Sequence, residues 1–133
     1  MRILLDTHVL VWWKAGGDRL SARARREMAR ADSLLVSPLS FWEIGVLAAR
    51  GRLALDRELH EWVASVVAEG EIELAPLSAS AAASAAALDG GFSPDPADRM
   101  IYATAREALV PLVSKDWRLR EYAERHRDVR VVW

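Results

Sequence analysis

The chain has 133 residues, no cysteine, and 18 Lys and Arg against 19 Asp and Glu. This length can build one core unaided, and the missing thiols exclude disulfide frameworks, zinc knuckles, iron–sulfur clusters and thiol nucleophiles. A formal net charge of −1 argues against a strongly basic nucleic-acid sleeve or an acidic disordered tail.

The average hides a split. Residues 14–30 carry six basic and two acidic groups, residues 54–98 one basic and nine acidic, and residues 115–133 six basic and four acidic. No stretch approaches the roughly 20 apolar residues that span a bilayer. Arg2 and the short apolar run up to Asp6 do not read as a signal peptide. The expectation is a single domain over residues 1–133, acting in the cytoplasm with no membrane contact.

In chain order, Ile3-Leu4-Leu5 is a wholly apolar run that stops at Asp6, which suits a central strand buried on both faces. Ser21 to Ala31 predicts a helix with Ser21 as its cap and Arg23, Arg26 and Arg30 on one face. Leu34 to Val36 is a second buried strand. A helix over Ser40 to Arg50 follows and stops at Gly51. Leu59, Trp62, Val63, Val66 and Val67 keep the i, i+3, i+4, i+7, i+8 spacing of an amphipathic helix. Ile72 to Ala75 alternates, as an edge strand does. The Ala-rich stretch from Ser78 to Leu88 predicts a helix. Gly90-Gly91 with Pro94 and Pro96 is a loop. Asp98 to Leu109 places Ile101, Ala105 and Ala108 on one helix face, and Pro111 to Val113 and Val129 to Val132 complete the strands. Strands alternating with helices predict an α/β fold: a three-layer α/β/α sandwich on a mostly parallel sheet of four or five strands.

A parallel sheet brings the carboxyl ends of its strands to one edge, where ligands bind. Four acids fall there. Asp6 ends the first strand, Glu43 lies in the first turn of the helix after the second, Asp98 in the first turn of the helix before the fourth, and Asp116 just past Leu112-Val113-Ser114. Carboxylates forced together raise one another's pKa and call for a cation. An all-oxygen set without His or Cys points to magnesium or manganese. Such ions bind phosphate oxygens and activate water, so the chemistry indicated is phosphoester hydrolysis. Each acid alone also fits a helix cap, a dipole-favoured first turn or a polar turn. Thr7 and Ser114 adjoin the edge, as ligand-orienting hydroxyls or as caps. Arg99 and Lys115 can hold phosphate or simply be solvated. The Arg23 and Arg26 stripe fits a nucleic-acid backbone or a solvated face equally well. His8, His60 and His126 do not cluster in the sequence and receive no role.

The strings Leu5-Asp6-Thr7-His8-Val9-Leu10-Val11-Trp12, Val36-Ser37-Pro38-Leu39-Ser40-Phe41-Trp42-Glu43-Ile44, Gly51-Arg52-Leu53, Asp95-Pro96-Ala97-Asp98-Arg99 and Val113-Ser114-Lys115-Asp116 occur in this order. In them the chain resembles a PIN-domain ribonuclease of the VapC toxin type, nearly end to end. The resemblance implies that Asp6, Glu43, Asp98 and Asp116 form a magnesium site with Ser114 close by. It implies endonucleolytic cleavage of RNA by a metal-activated water, with a cognate antitoxin and a second copy of the chain as partners. Trp12, Trp13 and the helix from Ser21 are candidates for the antitoxin groove, with core packing as the alternative for both Trp residues. Many relatives have His-Arg-Asp-Pro-Phe-Asp-Arg where this chain has Ser93-Pro94-Asp95-Pro96-Ala97-Asp98-Arg99, and often Lys where Leu47 stands. Asp95 is a secondary candidate that shapes the loop or touches metal.

Two other functions compete. A phosphate-accepting signalling domain also places an Asp at a strand end, but it needs adjacent acids there, and Thr7 follows Asp6. It leaves Glu43 unexplained. A non-catalytic interaction module on the same fold predicts a missing acid, and all four are present.

Overall fold

Short apolar runs form the middle of the sheet because both of their faces are covered. The computed structural model describes residues 1–133. The strands are β1 (Arg2–Leu5), β2 (Ser33–Val36), β3 (Ile72–Leu74), β4 (Leu112–Val113) and β5 (Val131–Val132). All four pairings are parallel, in the order β3-β2-β1-β4-β5. The helices are α1 (Thr7–Ala15), α2 (Ala22–Arg30), α3 (Pro38–Ala49), α4 (Leu59–Ala68), α5 (Ala79–Ala86), α6 (Pro96–Ala108) and α7 (Trp117–His126).

Side chains alternate across the sheet, so each strand feeds two cores. Ile3, Leu5, Leu34 and Val36 pack with Val9 and Leu10 of α1, Ala24 and Met28 of α2, Ile44 of α3 and Trp62 of α4. Leu4, Leu35 and Leu112 face the opposite way, onto Ile101, Tyr102 and Ala105 of α6 and Leu119 and Tyr122 of α7. The central leucines are fully buried, each contributing about 2 kcal/mol by area. The result is the expected three-layer α/β/α sandwich, with five parallel strands.

Several bounds move for local reasons. α3 begins at Pro38, not Ser40, because Ser37 accepts from the Leu39 N–H and proline suits the first helical position. α6 begins at Pro96 behind the cap Asp95. Its buried face includes Ile101, Tyr102 and Ala105, while Ala108, expected on that face, is exposed. Val67 of α4 is likewise exposed. β3 does form the sheet edge expected of its alternating residues.

The chain runs outward from β1 to β2 and β3, then returns to place β4 on the other side of β1. The order therefore reverses between β1 and β4. That switch point opens a crevice at the strands' carboxyl ends.

Candidate metal centre

Asp6 follows β1 directly and sits in this crevice, 3% exposed. Its N–H donates to Val113 O of β4 at 3.0 Å, which fixes its backbone. Its Oδ1 accepts from the Thr7 N–H at 2.8 Å and caps α1. Its Oδ2 accepts from Ser114 Oγ at 2.7 Å. The residue that caps α1 is thus also the one that lines the acid pocket.

Glu43 reaches the crevice from α3. It lies in the second turn, not the first, because the helix starts at Pro38. A favourable helix dipole therefore does not account for it. The Thr7 hydroxyl donates to Glu43 Oε1 and lies 2.9 Å from Ser40 Oγ, so Thr7 aims the carboxylate as well as opening α1. Burial raises the Glu43 pKa, the Thr7 hydrogen bond lowers it, and the charges of Asp6 and Asp95 raise it again; the net shift is upward.

Asp98 comes from the first turn of α6. Its N–H donates to the cap Asp95 Oδ1 at 3.0 Å, and its Oδ2 accepts from Ser93 Oγ at 3.2 Å. Burial first, then Asp6, Asp95 and Glu43, push its carboxyl up to about 7. Carboxylate oxygens of Glu43, Asp95 and Asp98 lie within 4.8 Å of one another. Asp6, Glu43 and Asp98 line one pocket. Asp95 therefore both shapes the loop and stands among the acids.

The loop before α6 is held by ring packing and by hydrogen bonds from Arg99. Phe92, 5% exposed, makes edge-on contacts with Tyr102 and Tyr122 at 4.9 Å. Ala97 is buried at the start of α6. Arg99 donates to Ser93 O, Ala85 O and Leu88 O at 2.9–3.2 Å. Its guanidinium is committed to this loop, so it staples the fold where phosphate contact was also expected.

Ser114 links the two halves of the site. Besides donating to Asp6, its Oγ accepts from the Asp116 N–H at 3.1 Å. Asp116 caps α7 and meets Arg118 in a fork, Nε to Oδ1 at 3.1 Å and Nη2 to Oδ2 at 2.9 Å. Burial raises the Asp116 pKa, but the Arg118 bonds outweigh it and leave the carboxyl below its ordinary value. Asp116 thus stands at the edge of the acid group, already paired with a cation.

His8 does belong to the site, although nothing in its spacing said so. Its Nε2 accepts from the Lys115 N–H at 2.9 Å, which puts the neutral ring's proton on Nδ1, 3.7 Å from Asp6 Oδ2. Burial lowers its pKa against the pull of Asp6 and Asp116. The ring packs on Trp12 and Trp133 at 5.0 and 6.4 Å.

Trp12 lines the acid pocket, beside Arg19 and Arg52. The Lys115 ammonium lies 5.6 Å from the Trp12 ring centre, at the rim of the crevice. Leu47, where relatives often carry Lys, lines the same pocket. Trp13 faces elsewhere, into an apolar groove of about 440 Å³ with Leu20, Met28 and Ala31. The two tryptophans are therefore not parts of one groove. Arg23 and Arg26 of α2 are exposed and do not line the acid pocket.

The PIN domain model matches residues 3–125. The sequence is 40% identical to Ribonuclease VapC22 of Mycobacterium tuberculosis (strain ATCC 25618 / H37Rv) over 131 residues, 98% of each chain. The fold is similar to that in the crystal structure of VapBC2 from Rickettsia felis bound to a DNA fragment from their promoter. That match has a TM-score of 0.66 and 12% identity, over 98% of this chain and 97% of that one. It is also similar to a chain of a toxin–antitoxin complex from Klebsiella pneumoniae, with a TM-score of 0.60 and 20% identity over 86% of each. On the family match and the near full-length identity, the chain belongs to the PIN-domain family, among its VapC-type members.

Proposed function

We propose that this chain is a divalent-metal-dependent endoribonuclease that hydrolyses RNA phosphodiester bonds, and that it is the toxin of a toxin–antitoxin pair. The observation that carries the reading is the crowding of Glu43, Asp95 and Asp98 within 4.8 Å, with Asp6 in the same pocket. The donors are carboxylate and hydroxyl oxygens, and Asp98 is pushed up to about 7 chiefly by burial and then by its acidic neighbours. Such a set is poorly stable when ionised alone and fits a hard cation. Magnesium or manganese is the proposed ion, held by Asp6, Glu43, Asp98 and Asp116. When bound, it supplies positive charge to the scissile phosphate and lowers the pKa of a water molecule.

The chain's own residues orient that site. Ser114 fixes Asp6 and the start of α7, Thr7 aims Glu43, and Ser93 holds Asp98. These second contacts keep the carboxylates in place before substrate arrives, which lowers the cost of assembling the reactive geometry. Lys115 at the rim is positioned to attract phosphate.

Residues 1–133 are proposed to act as a single domain in the cytoplasm, where RNA is available. No helix is long and apolar enough to cross a membrane. The antitoxin is proposed to lay an apolar segment in the Trp13 groove, between α1 and α2. A second copy of the chain is proposed to cover the exposed indoles of Trp42 and Trp117, which are 64% and 63% exposed. Light scattering reads that assembly directly: a monomer at all concentrations rejects it.

The enzyme is tested by RNA cleavage with magnesium or manganese, with and without a chelator, for the wild type and Asp6→Asn. Cleavage is expected only in the metal-loaded wild type. Unchanged cleavage in the variant or the chelator rejects the metal mechanism. The toxin role is tested separately. Expression alone is expected to arrest growth, and co-expression of the neighbouring reading frame to restore it. A nuclease that is harmless when expressed rejects the toxin role and leaves the enzyme standing.

A further inference from the structure

The acid pocket has a cationic wall, and it does not come from the α2 stripe. Arg19 and Arg52 line the pocket together with Asp6, Glu43 and Asp98. Both are exposed, and neither guanidinium has a hydrogen-bond or ion-pair partner. Elsewhere Arg118, Arg106 and Arg130 are engaged by Asp116, Asp128 and Glu27. Arg23 and Arg26 are also unpaired, but they lie outside the pocket lining.

Two helix endings place this wall. After α1, Gly16 and Gly17 take φ of +73° and +94°, which turns the chain back. The Arg19 guanidinium then lies 5.8 Å from the Trp12 ring centre. α3 ends in a Schellman motif. Gly51, at φ +70°, donates to Ala48 O at 3.1 Å, and Arg52 donates to Leu47 O at 2.9 Å. This folds Arg52 back toward the pocket wall that also carries Leu47.

An RNA strand brings more than one phosphate into the crevice. A cation held by the carboxylates neutralises the scissile phosphate, but its neighbours still meet an acidic surface. Free guanidinium forks match phosphate oxygens in shape and charge. We propose that Arg19 and Arg52 grip the backbone of single-stranded RNA at the phosphates next to the scissile one, with Trp12 steadying Arg19. This rests on the ribonuclease reading above and adds the residues that bind its substrate.

The test measures binding of a short single-stranded RNA to the full chain carrying Asp6→Asn, in magnesium, across a potassium chloride series. Adding Arg19→Ala or Arg52→Ala is expected to lower the slope of log affinity against log salt by about 0.7 each, the value for one lost phosphate contact on a single strand. Arg23→Ala and Arg26→Ala are expected to leave the slope unchanged. In the otherwise wild-type enzyme, each pocket substitution is expected to raise KM about tenfold with kcat little changed. All four side chains are exposed, and circular dichroism checks that the variants fold. An unchanged slope and KM in the Arg19 and Arg52 variants overturns the proposal, as does a slope lost through Arg23 or Arg26 instead. Neither result touches the ribonuclease reading, which fails only if the wild type does not cleave RNA with the metal.

Discussion

Ser114 Oγ donates to Asp6 Oδ2 at 2.7 Å, joining residues 108 positions apart in the chain. Ser114 is fully buried and Asp6 nearly so. The bond lies where strand order reverses, and it adds a side-chain tie to the backbone bonds that join β1 to β4. Removing the donor leaves a buried carboxyl oxygen without its partner, which costs more than the mean net worth of a hydrogen bond. Ser114→Ala is expected to cost about 2 kcal/mol of unfolding free energy by urea titration. It is also expected to weaken manganese binding in calorimetry, because Asp6 Oδ2 loses the contact that aims it. Loss of stability with unchanged metal affinity means that Ser114 serves the fold alone.

Arg118 occupies both carboxylate oxygens of Asp116, the atoms that the proposed metal ion would need. The fork on Asp116 is partly exposed, so removing it costs at most about 1 kcal/mol of stability. Its effect on the site is larger. Arg118 holds the Asp116 carboxyl below its ordinary pKa while occupying both of its oxygens. Arg118→Ala is expected to strengthen manganese binding several-fold at neutral pH, and Asp116→Asn to weaken it. Weaker binding in Arg118→Ala would show that the guanidinium supports the site by orienting Asp116.

Much of this architecture was legible because burial on two faces leaves a strong mark. Ile3-Leu4-Leu5 and Leu34-Leu35-Val36 have no polar position, which suits interior strands. α7 left no such mark: Trp117 to His126 alternates large apolar and charged residues, and only Leu119, Tyr122 and Ala123 are buried. Asp6 and Asp116 stood out because each lies at or just past the end of a strand, and Glu43 and Asp98 because each sits near the start of a helix next to a strand in chain order. Arg19 and Arg52 did not, since their position depends on left-handed glycines after α1 and α3 and on tertiary packing against Trp12. His8 was invisible for a similar reason, as its partner Lys115 is 107 residues away. The Arg23 and Arg26 stripe was readable as a helix face, but its distance from the acids was not.

Phe92 anchors the loop that carries Ser93, Asp95 and Asp98. It stacks edge-on against Tyr102 and Tyr122, which themselves pack at 5.5 Å. Phe92→Ala is expected to cost about 3–5 kcal/mol, the usual range for removing a buried aromatic ring. The loss should be local as well as global. Amide exchange at residues 93–98 is expected to accelerate more than exchange in β1 and β2. Uniform acceleration across the sheet would mean that the loop gains nothing special from this ring. Phe92→Leu, which keeps most of the volume, is expected to restore part of the protection.

Asp98 makes stability depend on pH and on metal. Its folded carboxyl sits at about 7, against an ordinary value of 3.8 when exposed. Between these values the folded chain binds more protons than the unfolded one. The contribution of Asp98 to the stability of the metal-free protein therefore falls as pH rises from about 4 through 7, while His8, whose pKa burial lowers, contributes in the opposite direction. Glu43, also raised, adds to the trend in the same direction. Metal binds the ionised carboxylates, so its affinity is expected to rise with pH over this window. Adding magnesium should then raise the melting temperature, most strongly near neutral pH, where the unrelieved repulsion is largest. Asp98→Asn removes the titrating group. It is expected to flatten the metal-free profile, stabilise the apo protein at pH 7 and abolish most of the magnesium-dependent rise. Thermal unfolding of both proteins from pH 5 to 8, in chelator and in magnesium, reads all three effects. A metal-free profile from pH 5 to 8 that Asp98→Asn leaves unchanged would show that Asp98 does not carry the pH dependence.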